Sequence, residues 1–101
     1  MPVFMIIEVE VRNIEMYSEY IEKVPGIISQ YGGRYLTRGG KISPLSGNWN
    51  PERIVLIEFE TIGKLQECFK STEYLEIAPL REKSTVSKSV IVEGCISSDP
   101  C

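Results

Sequence analysis

Histidine is absent from the 101 residues. This removes the His-based catalytic triad, His-ligated haem and the facial-triad iron site. Cysteine is scarce. Cys68, Cys95 and Cys101 form an odd, widely spaced set, which is neither a disulfide framework nor a zinc pattern. A Mg²⁺ site of carboxylates and waters stays open, but no spacing points to one. The expectation is therefore no metal and no cofactor. No apolar run approaches the ~20 residues of a membrane span. The N-terminus shows no basic region leading into a long apolar core, so no signal peptide is read and the expected location is cytoplasmic. A basic block is also missing. Lys plus Arg is 11 against 14 Asp plus Glu, with the cations scattered from Arg12 to Lys88. Neither nucleic acid nor membrane is expected as a partner.

What remains is the composition of one ordinary small domain: 43% hydrophobic and 25% charged residues, enough for a modest core. Val3 to Val11 alternates as a strand, with Val3, Met5, Ile7, Val9 and Val11 on one face and Phe4, Ile6, Glu8 and Glu10 on the other. Asn13 caps a helix whose buried stripe is Ile14, Tyr17, Ile21, Val24 and Ile28, with a kink or break expected at Pro25 and an end at Gly32-Gly33. Arg34 to Arg38 reads as a second strand. Gly39-Gly40 is a turn, and Lys41 to Leu45 is a short strand or extended arm. Arg53 to Glu60 is a third strand. Thr61 caps a second helix carrying Ile62, Leu65, Cys68 and Phe69, which restarts at Ser71 or Thr72 and is disturbed by Pro79. Thr85 to Glu93 is the last strand. This order predicts an α+β, ferredoxin-like β-α-β-β-α-β domain over residues 1–95, with an antiparallel sheet and two helices on one face, followed by a tail over 96–101.

Helices on one side leave the other side to explain. It carries Phe4, Ile6, Ile54 and Leu56, an apolar patch that usually marks a contact surface. The expected answer is a homodimer stacking sheet on sheet, with a barrel-like core between subunits. Glu8 and Glu58 belong to the same face, with Arg34 and Arg38 beside them if the register allows. These charges either pair at the rim or line a pocket for a polar or anionic ligand.

Particular residues tie the chain to a family. The run Tyr31-Gly32-Gly33-Arg34-Tyr35-Leu36-Thr37-Arg38-Gly39-Gly40, then Gly47 and Trp49, then Pro51-Glu52-Arg53 and Ile57-Glu58-Phe59 resemble domain-of-unknown-function family 1330, within the dimeric α/β-barrel superfamily. The resemblance spans roughly residues 2 to 94. It implies the fold and the dimer but no reaction, since the family has no agreed activity. The wider superfamily is similar in shape to cofactor-free monooxygenases, isomerases and haem-dependent dismutases. The haem members need a proximal histidine that this chain lacks.

The candidate catalytic residues are Glu58, Arg38 and Glu8, and the candidate ligand-binding residues are Arg34, Trp49, Tyr74 and Arg81. A partly enclosed Glu8 or Glu58 can take a proton near neutrality; the alternative is a solvated or salt-bridged carboxylate. Arg34 and Arg38, on one strand face, can grip a carboxylate in forked geometry or pair with Glu8, Glu10 or Glu58. Trp49 covers a cleft, caps a partner or packs over the domain's own edge. Tyr74 and Arg81 sit near the open end of the second helix, where a tyrosine beside arginine can act as an acid or base. Three functions compete: cofactor-free oxygenase- or isomerase-like chemistry, a non-catalytic module binding a small acidic or aromatic metabolite, and a structural homodimer.

Overall fold

A computed structural model describes residues 1–95. The tail over 96–101, with Cys101, lies outside the described residues. The elements run β1 (Val3–Val11), α1 (Ile14–Gln30), β2 (Arg34–Arg38), β3 (Arg53–Phe59), α2 (Ile62–Lys70), α3 (Thr72–Ser84) and β4 (Thr85–Glu93). The four strands form one antiparallel sheet in the order β2-β3-β1-β4. This is a ferredoxin-like α+β arrangement.

Register follows hydrophobicity. Met5 faces Ile57 and Ile7 faces Val55, so the odd positions of β1 and β3 together form an apolar floor under the helices. Tyr17, Tyr20, Val24 and Ile28 of α1 are buried on that floor, together with Leu65 and Cys68 of α2 and Tyr74, Ile77 and Ala78 of α3. Ile14, expected on the buried stripe, is exposed at the first turn.

Two expectations about the helices need correction. The second helical stretch is two helices, making three among the described residues. Ser71 separates them with extended backbone. Its hydroxyl donates to the Cys68 carbonyl at 2.6 Å and accepts from the Tyr74 amide at 3.1 Å, so one side chain ends α2 and caps α3. Pro25, in contrast, does not break α1, which runs on to Gln30. Segment 41–45 is neither strand nor helix.

The expected dimeric barrel is also corrected. The sheet ends at two edges, β2 and β4, and does not close on itself; nothing among the described residues carries evidence of a second copy. Its helix-free side holds half-buried Phe4, Ile6, Ile54 and Leu56, and exposed Val86, Val90 and Val92.

The most unexpected feature is in β2. Arg34 pairs with Glu58 and Tyr35 with Ile57, but Thr37 pairs with Leu56 and Arg38 with Val55. The register slips by one residue between Tyr35 and Thr37, a β-bulge at Leu36. A strand alternates strictly, so one extra residue reverses the facing of everything after it. Arg34 and Arg38 therefore lie on opposite faces, not on the shared face that their spacing predicts.

The loop from α1 into β2 is tightly fitted. A Cβ on Gly33 would lie 2.7 Å from both Ile28 Cγ2 and Phe59 Cε1, and those side chains are 1% and 0% exposed. Gly33→Ala is expected to destabilise the fold by roughly 1–3 kcal/mol through overpacking, read as a lower urea midpoint. An unchanged midpoint would show that this corner of the core yields freely.

Candidate functional site

The predicted site residues separate into two groups on opposite sides of the sheet. On the helix-free side, Glu58 Oε1 accepts from Arg34 Nε at 2.9 Å and lies 2.8 Å from Arg34 Nη2. Glu8 Oε1 accepts from the Trp49 indole at 3.0 Å and lies 3.9 Å from Lys88 Nζ. Arg34, Glu58, Glu8 and Trp49 thus engage one another or Lys88. Trp49 remains 58% exposed.

Arg38, Tyr74 and Arg81 lie on the other side, around a cavity of about 380 Å³ between sheet and helices. Its volume is within the range of small-molecule sites. Met5, Ile7, Val55 and Ile57 supply the floor, while Val24, Ile28, Leu65 and Phe69 are among the apolar walls. These positions follow directly from the alternation of β1 and β3 and the three- and four-residue steps of the helices.

Polar groups enter this apolar space in three places. Arg81, on the last turn of α3, donates from Nε to Tyr74 Oη at 3.2 Å and from Nη1 to Ser87 Oγ at 2.8 Å. Tyr74 Oη lies 3.0 Å from Tyr20 Oη. Guanidinium can only donate, so Tyr74 accepts from Arg81; of the two phenol hydrogens, one lies between Tyr20 and Tyr74 and the other is left for a further acceptor. Arg53 Nε donates to Tyr17 Oη at 3.1 Å and its guanidinium carbon lies 5.6 Å from the centre of that ring. Arg38 stands over the Tyr35 ring at 5.1 Å and donates to the Ile21 carbonyl. Among the described residues, no buried side-chain polar atom is left without a partner.

Burial governs the acid–base character. It pushes the Tyr35 hydroxyl up to about 12, although the Arg38 charge pulls the other way. Burial drives Tyr20 further still, reinforced by neighbouring Tyr74. Both phenols are therefore hydrogen-bond donors at neutral pH and not bases. Burial likewise lifts the Cys68 thiol to about 11, with Glu73 adding to it, so this cysteine is a core side chain of low reactivity. Among the described residues no group of three or more potential metal ligands gathers, and no helix is long and apolar enough to cross a membrane.

Tyr17, Tyr20, Tyr35 and Arg53 line the cavity but are not among the predicted site residues. Tyr20 carried a usable signal, since it stands three residues after Tyr17 and four before Val24. Arg53 was legible only through pairing: it stands opposite Val9, on the apolar face.

A model of the family described as Domain of unknown function (DUF1330) matches residues 2–95. No curated protein matches the chain. Among solved structures, a protein of unknown function from Rhodopseudomonas palustris is similar at a TM-score of 0.78 and 17% identity, covering 94% of this chain and 83% of that one. The cofactor-independent oxygenase SnoaB from Streptomyces nogalater is similar at 0.65 and 7% identity, covering 95% of each chain. An uncharacterized NIPSNAP domain protein from Burkholderia xenovorans is similar at 0.64 and 16% identity over the full length of both. At these identities the likeness is one of fold.

The raised acids set an alkaline limit on stability. Each has a folded pKa above its ordinary value, 9.0 for Cys68 and 10.0 for Tyr35. The fold thus favours the protonated form. That stabilisation is complete below the ordinary values and is lost as pH rises through about 11 for Cys68 and about 12 for Tyr35. The urea midpoint should be level up to about pH 8.5 and fall above about pH 9, with the fall above pH 10 reduced in Tyr20→Phe. A midpoint unchanged to about pH 11 would contradict the burial of these groups.

Proposed function

The chain belongs to the DUF1330 family, and within that family we propose that its helix-side cavity binds a small, largely apolar organic molecule through an acidic oxygen, as a prelude to oxygenase-like chemistry without a cofactor. The observation that carries this reading is the Tyr20–Tyr74–Arg81 chain of hydrogen bonds at the wall of an otherwise apolar cavity. An apolar wall with a few converging polar groups is the usual build of a ligand site.

The residues have distinct parts. Arg81 remains a cation, because the phenol oxygens of Tyr74 and Tyr20 more than offset the effect of burial on it. Its bond to Tyr74 polarises that hydroxyl, which makes the hydroxyl a better donor to a ligand oxygen. Donors fixed in a dry site stabilise an oxyanion far more than water-exposed ones do. An ionised phenol or enol is electron-rich, which suits reaction with dioxygen. The fold likeness to a cofactor-independent oxygenase supports this direction. Glu8 and Glu58 have no part in this reading, since they face the other side of the sheet. The competing reading is binding without turnover, and the same cavity serves it.

The test is calorimetric titration with 2-naphthol, a flat apolar phenol, together with dioxygen uptake on an electrode. Tyr74→Phe keeps the ring and loses the hydroxyl, and should weaken binding about tenfold, one hydrogen bond's worth. Tyr31→Phe is the control, since its exposed hydroxyl bonds Glu73 away from the cavity. Equal affinities for the two variants would remove the proposed donor. Binding without dioxygen uptake would favour the non-catalytic module.

A further inference from the structure

The chain has five arginines, and their partners divide by location. Arg12 and Arg34, away from the cavity, each form an ion pair, with Glu10 and Glu58 respectively. Arg38, Arg53 and Arg81 all line the cavity, and none of them forms an ion pair among the described residues. Their partners are neutral: a backbone carbonyl and a ring face for Arg38, a phenol for Arg53, and a phenol and a serine hydroxyl for Arg81. The one carboxylate among the lining residues is exposed Glu82. A cavity that gathers cations and leaves them with neutral partners has an attraction for anions that the protein itself does not satisfy.

Arg38 is the most available of the three. It is exposed at the cavity rim, whereas Arg53 and Arg81 are half-buried. Two separate irregularities put it there. The bulge at Leu36 turns it from the helix-free side to the cavity side. Pro25 then provides its anchor. A helical carbonyl normally accepts from the amide four residues later, and the residue four after Ile21 is Pro25, which has no amide hydrogen. The Ile21 carbonyl is thus free to accept, and Arg38 Nη2 donates to it. This contact occupies one of the five guanidinium donors and leaves the others for a ligand.

The rim arginine and the phenol chain stand at opposite margins. Arg38 is on β2, and Arg81 is tied to Ser87 of β4; β2 and β4 are the two edges of the four-stranded sheet. Three strand spacings separate these backbones by about 14 Å, and both side chains reach inward from there to line one cavity.

We propose that Arg38 is the specificity-determining residue of this cavity, reading a carboxylate on the far end of a ligand whose acidic hydroxyl meets Tyr74, so that the ligand class is a flat, apolar hydroxy acid. Pro25 is a positioning residue that acts through the Ile21 carbonyl. The proposal rests on the cavity reading above and adds the second recognition point to it.

The test compares 6-hydroxy-2-naphthoate with 6-hydroxy-2-naphthamide, which share shape and hydroxyl and differ in charge. Binding is measured calorimetrically and localised by amide shifts at Tyr20, Tyr35 and Tyr74. The native protein should prefer the acid at least tenfold. Arg38→Met should abolish that preference by lowering the acid's affinity far more than the amide's, and Arg38→Lys should keep part of it. Pro25→Ala returns an amide donor to Ile21 and should reduce the preference by weakening the acid more than the amide, whereas a merely structural role would weaken both alike. A preference retained in Arg38→Met, or absent in the native protein, overturns the proposal while 2-naphthol binding still supports the cavity. If the native protein binds neither 2-naphthol nor these probes at the cavity, the cavity reading falls and the proposal falls with it.

Discussion

The pairing of β1 with β3 is the constraint from which the rest follows. Met5 against Ile57 and Ile7 against Val55 set every apolar odd position on one side. Burial of that side is the main driving force available to a domain this small. A slip of one residue would exchange this surface for one bearing Glu8 and Glu58, which no helix packing could accommodate. The cavity lies between that floor and the helices, and Tyr17, Tyr20, Tyr35 and Tyr74 are among the large side chains that line it. The rings of Tyr17 and Tyr20 stack at 5.9 Å, and those of Phe69 and Tyr74 meet edge to face at 4.7 Å.

How far the fold could be read depended on whether the signal was local. The span of β1, the span of β4 and the caps at Asn13 and Thr61 agree with the reading of the chain, because alternation and capping are written within a few residues. Pro25 misled because a proline removes a donor without always ending a helix. A side chain distant in sequence, Arg38, supplied the missing partner, and nothing local announces it. The divided second helix was half legible at Ser71, whose two hydrogen bonds belong to two different helices. The barrel failed for a different reason: an apolar open face says that something is costly there, not what covers it.

The site was harder to read than the fold. Tyr74 and Arg81 were legible as a tyrosine beside an arginine, seven residues apart on one helix face. Arg38 was chosen, but for a face it does not occupy. The cause is Leu36, an ordinary aliphatic residue with neither a glycine nor a positive φ to mark the bulge. Glu8, Glu58 and Arg34 were expected on one face together with Arg38, and Trp49 in a loop beside a cleft; the first three lie on the helix-free side, Trp49 reaches Glu8 there, and these side chains engage one another or Lys88 and leave the cavity to a different set. Electrostatics explains the division. Cations beside carboxylates are neutralised where they stand, so the ones that shape a ligand site are those held by rings, phenols and carbonyls.

The bulge in β2 has a consequence for inheritance. The location of Arg38 is fixed by how β2 pairs rather than by the identity of any one of its residues. Loss of the single codon for Leu36 would close the bulge, leave Thr37 against Leu56 and Arg38 against Val55, and so keep the arginine at the cavity. Loss of the bulge with all five residues kept would instead carry Arg38 through the sheet to stand beside Arg34. The gene can therefore shorten this edge strand by one residue, or vary position 36, half exposed as it is, without moving the arginine from the cavity.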